Sequence, residues 1–239
     1  MIPFGKALLN YHQTGIDSPF ILKRDDGFTA TISTASFFND SNFPELEQRA
    51  LDLCRGKVLD VGAGAGRHAL ALQSRGLEVC AIDIVPDAVF VMRERGVRDA
   101  HPYDVMTMEE RTFDTLLMLM NGIGLVGVPS ELDRFLAHAS HLLNAGGCLL
   151  CDSIDVSKAT DPIHVRYREK NVRKGRYPGQ QFYSAHYETG VSPLFPWLHL
   201  DFNMLAGHAR NNHWNAELIL SESDGHYLAK LTKMSMSSS

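Results

Sequence analysis

Residues 58–70 read VLDVGAGAGRHAL, an apolar run followed by three glycines at alternate positions and then by a helix-compatible segment. Glycine is needed where the backbone takes a positive φ or passes close to a ligand, because a Cβ would collide there. The first N–H groups of a helix have no intrahelical partner and attract an anionic group. The stretch therefore predicts a strand, a tight turn and a helix, with a ligand site at the turn.

The composition is that of an ordinary globular protein. The 239 residues fit one domain with additions, and hydrophobic residues make up 44% of them. The formal net charge is −5, whereas a general nucleic-acid-binding surface needs a basic face. The negative net charge therefore argues against a nucleic-acid partner. A local basic patch is still compatible with this net charge.

The sequence predicts neither a membrane segment nor a metal site. Its N-terminal part lacks the apolar run of a signal peptide, and no run reaches the roughly 18 to 20 apolar residues that span a bilayer. Cys148 and Cys151 form a CxxC, but a strand points residues at this spacing to opposite faces. Reduced, buried thiols are typical of a cytoplasmic protein, and we expect that location.

Strand and helix candidates alternate along the middle of the chain. Such alternation is typical of an α/β fold whose parallel sheet is covered on both faces. The strand candidates are 57–60, 78–83, 97–103, 113–120 and 148–151. Ligands of these sheets bind at the carboxyl ends of the strands. Polar residues stand at those ends, namely Asp60, Asp83, Asp104, Asn121 and Asp152.

The sequence on either side of this core predicts a cap, an insertion, a closing hairpin and a tail. Residues 1–44 are interpreted as an N-terminal cap that acts as a lid, or as an arm that merely packs on the core. The main domain is predicted at 45–233. It contains a substrate-side insertion at 153–195, interpreted as an antiparallel meander because 164–168 and 181–187 alternate like strands. A hairpin closes the domain, and a disordered tail is expected at 234–239.

Two kinds of nucleotide site compete for the glycine turn. A dinucleotide site needs glycine at the sixth position of the turn, and counting from Gly62 that position is the large, charged Arg67. The turn instead reads DVGAGAG, which has the form (D/E)xGxGxG, and Asp83 stands at the end of the next strand candidate. In these features the chain resembles the class I S-adenosylmethionine-dependent methyltransferases. The segment LNAGGCLL, 143–150, is also similar to the family's entry into its fifth strand, with Ala145 where proline is usual.

The resemblance implies a doubly wound, mostly parallel seven-stranded sheet with a C-terminal antiparallel hairpin, and S-adenosylmethionine as cofactor. It implies that Asp83 binds the ribose and that Asp104, with the next backbone amide, holds the adenine. The cofactor-binding candidates are Asp60, Gly62, Ala63, Gly64, Gly66, Asp83, Ile84, Asp104, Val105 and Asn121. The residues alone leave other roles open, with Asp60 capping the turn, Asp83 capping the next helix and Asp104 as a solvated acid.

The acceptor side is less well defined. Six basic residues and one acid, Glu169, lie within 164–176, and this basic segment fits an anionic substrate, RNA, an acidic partner or a solvated strand face. Asn121 lacks the two prolines and the aromatic residue that follow it in relatives methylating amide or exocyclic amino nitrogens. The acceptor candidates are Tyr11, Arg166, Tyr167 and Trp197.

We therefore expect in-line methyl transfer from S-adenosylmethionine to an oxygen or nitrogen atom of a small molecule, by a monomer or homodimer. Two alternatives stay open. One is an RNA or protein methyltransferase that uses the basic segment, and the other is a non-catalytic S-adenosylmethionine-binding module. His164, His186 and His199 lie where a general base would act, but the sequence assigns no catalytic residue and no metal ligand.

Overall fold

A computed structural model describes residues 2–109 and 112–234 as a large and a small β-sheet with helices packed against them. The helices are α1 (Ile2–Thr14), α2 (Glu45–Leu53), α3 (Arg67–Ser74), α4 (Pro86–Glu94), α5 (Leu132–Leu142), α6 (Pro162–Arg173) and α7 (Phe202–Asn211). The strands are β1 (Phe20–Arg24), β2 (Thr29–Ile32), β3 (Lys57–Val61), β4 (Glu78–Ile82), β5 (Asp99–His101), β6 (Phe113–Met118), β7 (Leu143–Ile154), β8 (Gln180–Tyr187), β9 (Gly190–Val191), β10 (Phe195–Leu198), β11 (Trp214–Ser221) and β12 (His226–Lys233).

The large sheet has seven strands in the order β11-β12-β7-β6-β3-β4-β5. The pairs from β7 to β5 are parallel, and the hairpin of β11 and β12 joins antiparallel to β7. Val58 and Leu59, neighbours on β3, pack into cores on opposite faces of the sheet. The predicted fold class, a doubly wound, mostly parallel α/β sheet with a C-terminal hairpin, is confirmed.

The strand order reverses between β3 and β6, which lie side by side in the large sheet. From β3 the chain moves outward through β4 and β5, and then returns to β6 on the other side. The loops that follow the two strands therefore run in opposite directions. They leave a crevice between them at the carboxyl ends of the strands, where such sheets bind ligands. Asp60 on β3 and Asn121 just beyond β6 lie at this crevice.

The small sheet joins the two additions that the sequence suggests separately. β1 and β2 come from the first 44 residues, and β8, β9 and β10 come from the segment after β7. β1 pairs antiparallel with β8, with Leu22 opposite Ala185. The predicted strand at 181–187 is confirmed by β8, and its partner is an N-terminal strand as well as β10. The division into cap, main domain and insertion stays a prediction.

The predicted strand at 164–168 is wrong, because these residues belong to helix α6. Asp161 begins this helix with a side chain that accepts a hydrogen bond from the Ile163 N–H at 2.9 Å, and Pro162 occupies the first helical turn. Tyr167 and Asn171, four residues apart, are its buried residues. The alternation within 164–168 is also compatible with a helix. The signal that indicates the helix is the pair Asp161 and Pro162 at its start.

Further sequence expectations concern the lengths of two strands, the tail and membrane segments. The fifth strand candidate is longer than predicted, since β7 spans 12 residues, and the third is reduced to the 3 residues of β5. Of the predicted tail, 234–239, only Met234 lies within the described residues. Among the helices of the described ranges, none is long and apolar enough to cross a membrane.

Candidate active site

The glycine turn between β3 and α3 adopts the backbone that its glycines allow. Gly62, Gly64 and Gly66 have φ values of 71°, 55° and 79°, which L side chains rarely adopt. The N–H groups of Gly62 and Ala63 both donate to the Ile82 carbonyl, at 2.9 and 3.0 Å. The turn is therefore bound to the end of β4, where Asp83 follows.

Asp83 is buried beneath this turn and supports it. One carboxylate oxygen, Oδ2, accepts the Gly64 N–H at 3.0 Å, and Oδ1 accepts the Val85 N–H at 2.9 Å. Burial raises the pKa of Asp83, and these backbone N–H groups oppose that shift. The carboxylate thus touches the glycine turn while it lines the crevice. Both roles considered for it, ligand binding and local capping, are compatible with this position.

Asp60 is the second buried carboxylate of the crevice. Only 2% of the residue is exposed, and Oδ2 has no hydrogen-bond partner among the described residues. Burial raises the pKa of Asp60 to about 6, although the nearby His68 favours the charged form. An unpaired carboxylate oxygen is costly inside a protein, so this atom is suited to a ligand.

The end of β6 is held in an unusual backbone conformation by Asp152 on β7. Met120 and Asn121 have positive φ values of 62° and 59°, which are uncommon for residues other than glycine. Asp152 accepts the N–H groups of Asn121 and Gly122 at 2.9 and 3.0 Å. Burial raises the pKa of Asp152 to about 6. Asn121 presents a further unpartnered atom, its buried Oδ1.

Asp104 and Ile84 line the more open side of the crevice. Asp104 is exposed and accepts the Met106 N–H at 2.9 Å, so it caps a short 3₁₀ turn, Val105–Thr107. Ile84 is 60% exposed and follows Asp83 directly. A large apolar side chain and an exposed carboxylate therefore border the same opening.

A single cavity of about 970 Å³ brings most of these residues together. It runs from the glycine turn to the small sheet, so both sheets contribute walls. Among the cofactor candidates it is lined by Asp60, Gly62, Ala63, Gly64, Asp83, Ile84, Asp104, Val105 and Asn121. Gly66 does not line it and instead packs against Met92 and Val97.

Of the four acceptor candidates, only Trp197 lines the cavity. Its indole packs so closely on Gly124, in the loop after Asn121, that a Cβ at Gly124 would overlap it. Tyr11 packs on Phe38, with ring centroids 4.6 Å apart. Arg166 borders a separate, smaller hollow of about 360 Å³ on α6, and Tyr167 is buried beneath the Arg24 guanidinium at 4.0 Å.

The remaining walls consist of residues that are not among the site candidates named from the sequence. The small sheet and α1 supply Phe4, Phe20, Leu22, Ile32, Tyr183 and Phe195. Near the glycine turn, Glu47 on α2 bonds His68 Nε2 at 2.6 Å and Arg67 at 3.1 Å. The residues from the small sheet could have been found only by predicting that β1 pairs with β8. No local sequence pattern indicates that pairing.

One polar cluster at the cavity comes from the turn between β11 and β12. Glu222, Asp224 and His226 line the cavity, and their potential ligand atoms lie within 4.8 Å of one another. His226 Nδ1 bonds Asp224 at 3.0 Å, so the cluster is partly satisfied by its own members. The sequence spacing did not announce this cluster, and the expectation of no metal ligand stays a prediction.

We expect Gly66→Ala to lower the free energy of unfolding by about 2–3 kcal/mol, from strain at positive φ and from overpacking. A Cβ there would lie 2.7 Å from Val97 Cγ2. Gly76→Ala is the matched control, because Gly76 also has a positive φ but nothing within 4 Å of its added Cβ. Urea denaturation of both variants isolates the packing contribution, and equal losses would contradict it.

Comparison with known proteins identifies the family. A family model described as a methyltransferase domain matches residues 58–147. An S-adenosylmethionine-dependent methyltransferase from Bacteroides fragilis, crystallised with S-adenosyl-L-homocysteine, is 34% identical and superposes with a TM-score of 0.86. This match covers 97% of this chain and 94% of that one. The chain belongs to the class I S-adenosylmethionine-dependent methyltransferases. The resemblance inferred from its motifs, and its assignment as an enzyme, are confirmed.

More distant relatives agree with this assignment. A ubiquinone biosynthesis O-methyltransferase from Xanthomonas oryzae pv. oryzae is 27% identical over 199 residues, which cover 77% of this chain and 78% of that protein. A demethylmenaquinone methyltransferase from Tropheryma whipplei is 27% identical over 139 residues, covering 55% of this chain and 56% of that protein.

The cavity suits the methyltransferase cofactor, S-adenosylmethionine. At Gly62 the missing side chain lets Leu125 pack on the turn, because a Cβ there would lie 2.7 Å from Leu125 Cδ1, and both residues line the cavity. Asp60 Oδ2 and Asn121 Oδ1 are buried there without partners among the described residues. A polar, cationic ligand can satisfy such oxygens. These acceptor oxygens of the methyltransferase therefore fit the cofactor.

Proposed function

We propose that the chain transfers the methyl group to an oxygen or nitrogen atom of a small-molecule acceptor. The supporting observation is the shared cavity, which continues from the glycine turn to the aromatic face of the small sheet. S-adenosylmethionine supplies an activated methyl group on a sulfonium. The protein then needs to hold the acceptor in line with that group, and orientation of this kind lowers a barrier by several kcal/mol.

The proposed cofactor contacts follow from where each side chain lies. Asp83 would bind the ribose hydroxyls, because its carboxylate lies against the glycine turn. Asp104 and the Val105 amide would border the adenine on the open side of the crevice. Asp60 Oδ2 and Asn121 would face the methionine part, near the switch between β3 and β6. With the cofactor held by these contacts, the part of the cavity beside the small sheet is available to the acceptor.

The cover over the glycine turn favours a small acceptor over a macromolecule. Phe4 on α1 and Phe37 lie 3.7 and 3.8 Å from where a Cβ of Gly64 would stand. The Arg67 guanidinium donates to the Ser36 carbonyl at 2.9 Å, so the turn is tied to this cover. Three basic residues of α6, by contrast, border a separate hollow, namely Arg166, Lys170 and Arg173. The names of the quinone-pathway relatives also support a small acceptor.

Isotopically labelled methyl donor tests this proposal most directly. The purified protein is incubated with labelled S-adenosylmethionine and metabolite extracts, and mass spectrometry identifies the labelled product. We expect label on a small molecule and no label in a parallel reaction with Asp83→Ala at low donor concentration. Label on RNA or protein alone would overturn the small-molecule proposal. Calorimetry that detects no cofactor binding would overturn catalysis as a whole.

We expect Trp197→Ala to reduce kcat/KM for the acceptor at least about tenfold, a loss typical of removing a buried aromatic contact. The affinity for S-adenosylhomocysteine, measured by calorimetry, should change little, because Trp197 lies on the small-sheet wall. Phe90→Ala serves as control, since Phe90 is 49% exposed and outside the cavity lining. A lost cofactor affinity with unchanged acceptor kinetics would contradict the assignment of this wall.

A further inference from the structure

His199 lies directly after β10, on the wall of the cavity that the small sheet provides. Side chains two residues apart along an extended chain point the same way. Within 197–200, Trp197 and His199 line the cavity, whereas Leu198 and Leu200 are buried in the main core. This alternation places the imidazole in the same wall as Trp197.

The backbone around His199 is held on both sides. Its N–H donates to the Gly179 carbonyl at 2.9 Å, and the Leu200 N–H donates to Ser153 Oγ at 2.9 Å. Gly179 packs so closely on the His199 carbonyl that a Cβ there would overlap it. The imidazole is therefore carried by a fixed segment, as a selective polar contact requires.

The two ring nitrogens of His199 have different surroundings. Nδ1 is fully buried and has no hydrogen-bond partner among the described residues. A buried N–H without an acceptor costs about 1–3 kcal/mol, whereas an N–H at the cavity can bind water or a ligand. The neutral ring therefore carries its proton on Nε2. In this tautomer His199 is a hydrogen-bond donor toward the cavity.

The surroundings keep this ring neutral. Burial lowers the pKa of His199 to about 4. Neighbouring groups on three elements disfavour a further positive charge, namely His226 on β12, Arg24 on β1 and His164 on α6. Two carboxylates, Glu222 and Asp224, also line the cavity beside His226. Asp224 already forms a hydrogen bond with His226. At neutral pH the ring can therefore donate from Nε2 without becoming charged.

We propose that His199 donates a hydrogen bond to an oxygen atom of the acceptor and thereby selects among acceptors. This inference rests on the proposed function, because it concerns the acceptor half of the same cavity. The neighbouring wall is aromatic and aliphatic, with Phe20, Leu22, Ile32 and Phe195. The chemical class that fits is a planar, apolar molecule with a carbonyl, ether or phenolic oxygen. His199 is a specificity-determining residue in this role and not the base.

Two probes of nearly equal shape test the hydrogen bond. Acetophenone carries a carbonyl oxygen where α-methylstyrene carries a methylene group. NMR titration of the S-adenosylhomocysteine complex should show that wild type binds acetophenone about threefold to tenfold more tightly. His199→Phe should abolish this preference, and His199→Gln should keep part of it through its amide N–H. His186→Phe, outside the cavity, should keep all of it.

Three outcomes would overturn the inference. The first is a preference for acetophenone that survives His199→Phe, and the second is the absence of binding by both probes. The third is a ¹⁵N spectrum of the imidazole that shows the proton on Nδ1, which would make His199 an acceptor of hydrogen bonds. Calorimetry of S-adenosylhomocysteine on every variant separates these results from misfolding. Wild-type protein that fails to bind it would contradict the proposed function instead.

Discussion

Replacing Asp83 with alanine is expected to weaken the binding of S-adenosylhomocysteine by about tenfold to 150-fold, or about 1.5–3 kcal/mol. The reason is that a buried carboxylate forms stronger hydrogen bonds than a neutral group. Asp83 also accepts the Gly64 N–H at 3.0 Å, so its removal leaves part of the glycine turn without support. Isothermal titration calorimetry at one pH and ionic strength measures the change.

Two further variants separate the possible roles of Asp83. Asp83→Asn retains one accepting oxygen, so we expect an intermediate loss of affinity. Asp52→Ala removes an exposed carboxylate on α2 that pairs with Arg75 at 3.0 Å, and it should leave the affinity unchanged. If Asp83→Ala lowered the Tm while the affinity stayed at the wild-type value, Asp83 would serve only to support the turn.

The large sheet could be predicted because its signals are local. A parallel strand buried on both faces is a short apolar run, and the polar residue that ends it marks the ligand edge. Asp60, Asp83 and Asn121 were found in this way, and the cavity brings them together. Arg67 at the sixth position of the turn then distinguished this site from a dinucleotide site.

Apart from Trp197, the acceptor wall could not be predicted, because it depends on pairing between distant segments. Leu22 lies opposite Ala185 in the small sheet, and nothing near either residue specifies the other. The basic segment attracted attention to Arg166 and Tyr167, yet both lie on α6 and outside the cavity lining. Trp197 and His199 belong to the wall because residues 197–200 alternate between the cavity and the main core.

Asp60→Asn is expected to stabilise the protein by about 3 kcal/mol at pH 7.5, a large effect for one substitution. Burial raises the pKa of Asp60 from 3.8 to about 6, so the folded state binds the proton more tightly than the unfolded state. The stability that this proton contributes is complete below about pH 4 and is lost as the pH rises to about 6. Asparagine is neutral at every pH and therefore avoids the cost of burying the charge.

Urea denaturation at pH 4.5, 6 and 7.5 checks this sign. The free energy of unfolding that Asp60→Asn adds should grow as the pH rises. The variant should still lose some stability with rising pH, because Asp152 also has a pKa raised to about 6. Asp114→Asn is the opposite control. Hydrogen bonds from the Lys57 N–H and the Asn144 amide lower the pKa of Asp114, so this variant should lose stability at neutral pH.

The same substitution distinguishes a binding role of Asp60 from a structural one. A carboxylate kept only to cap the turn would favour folding, and asparagine would weaken the fold or leave it unchanged. A carboxylate kept for the cofactor is a cost to the empty protein, because its Oδ2 has no partner among the described residues. Greater stability together with weaker S-adenosylhomocysteine binding would therefore assign Asp60 to the cofactor, as expected where a functional group is retained against stability. Lower stability with unchanged affinity would assign it to the turn.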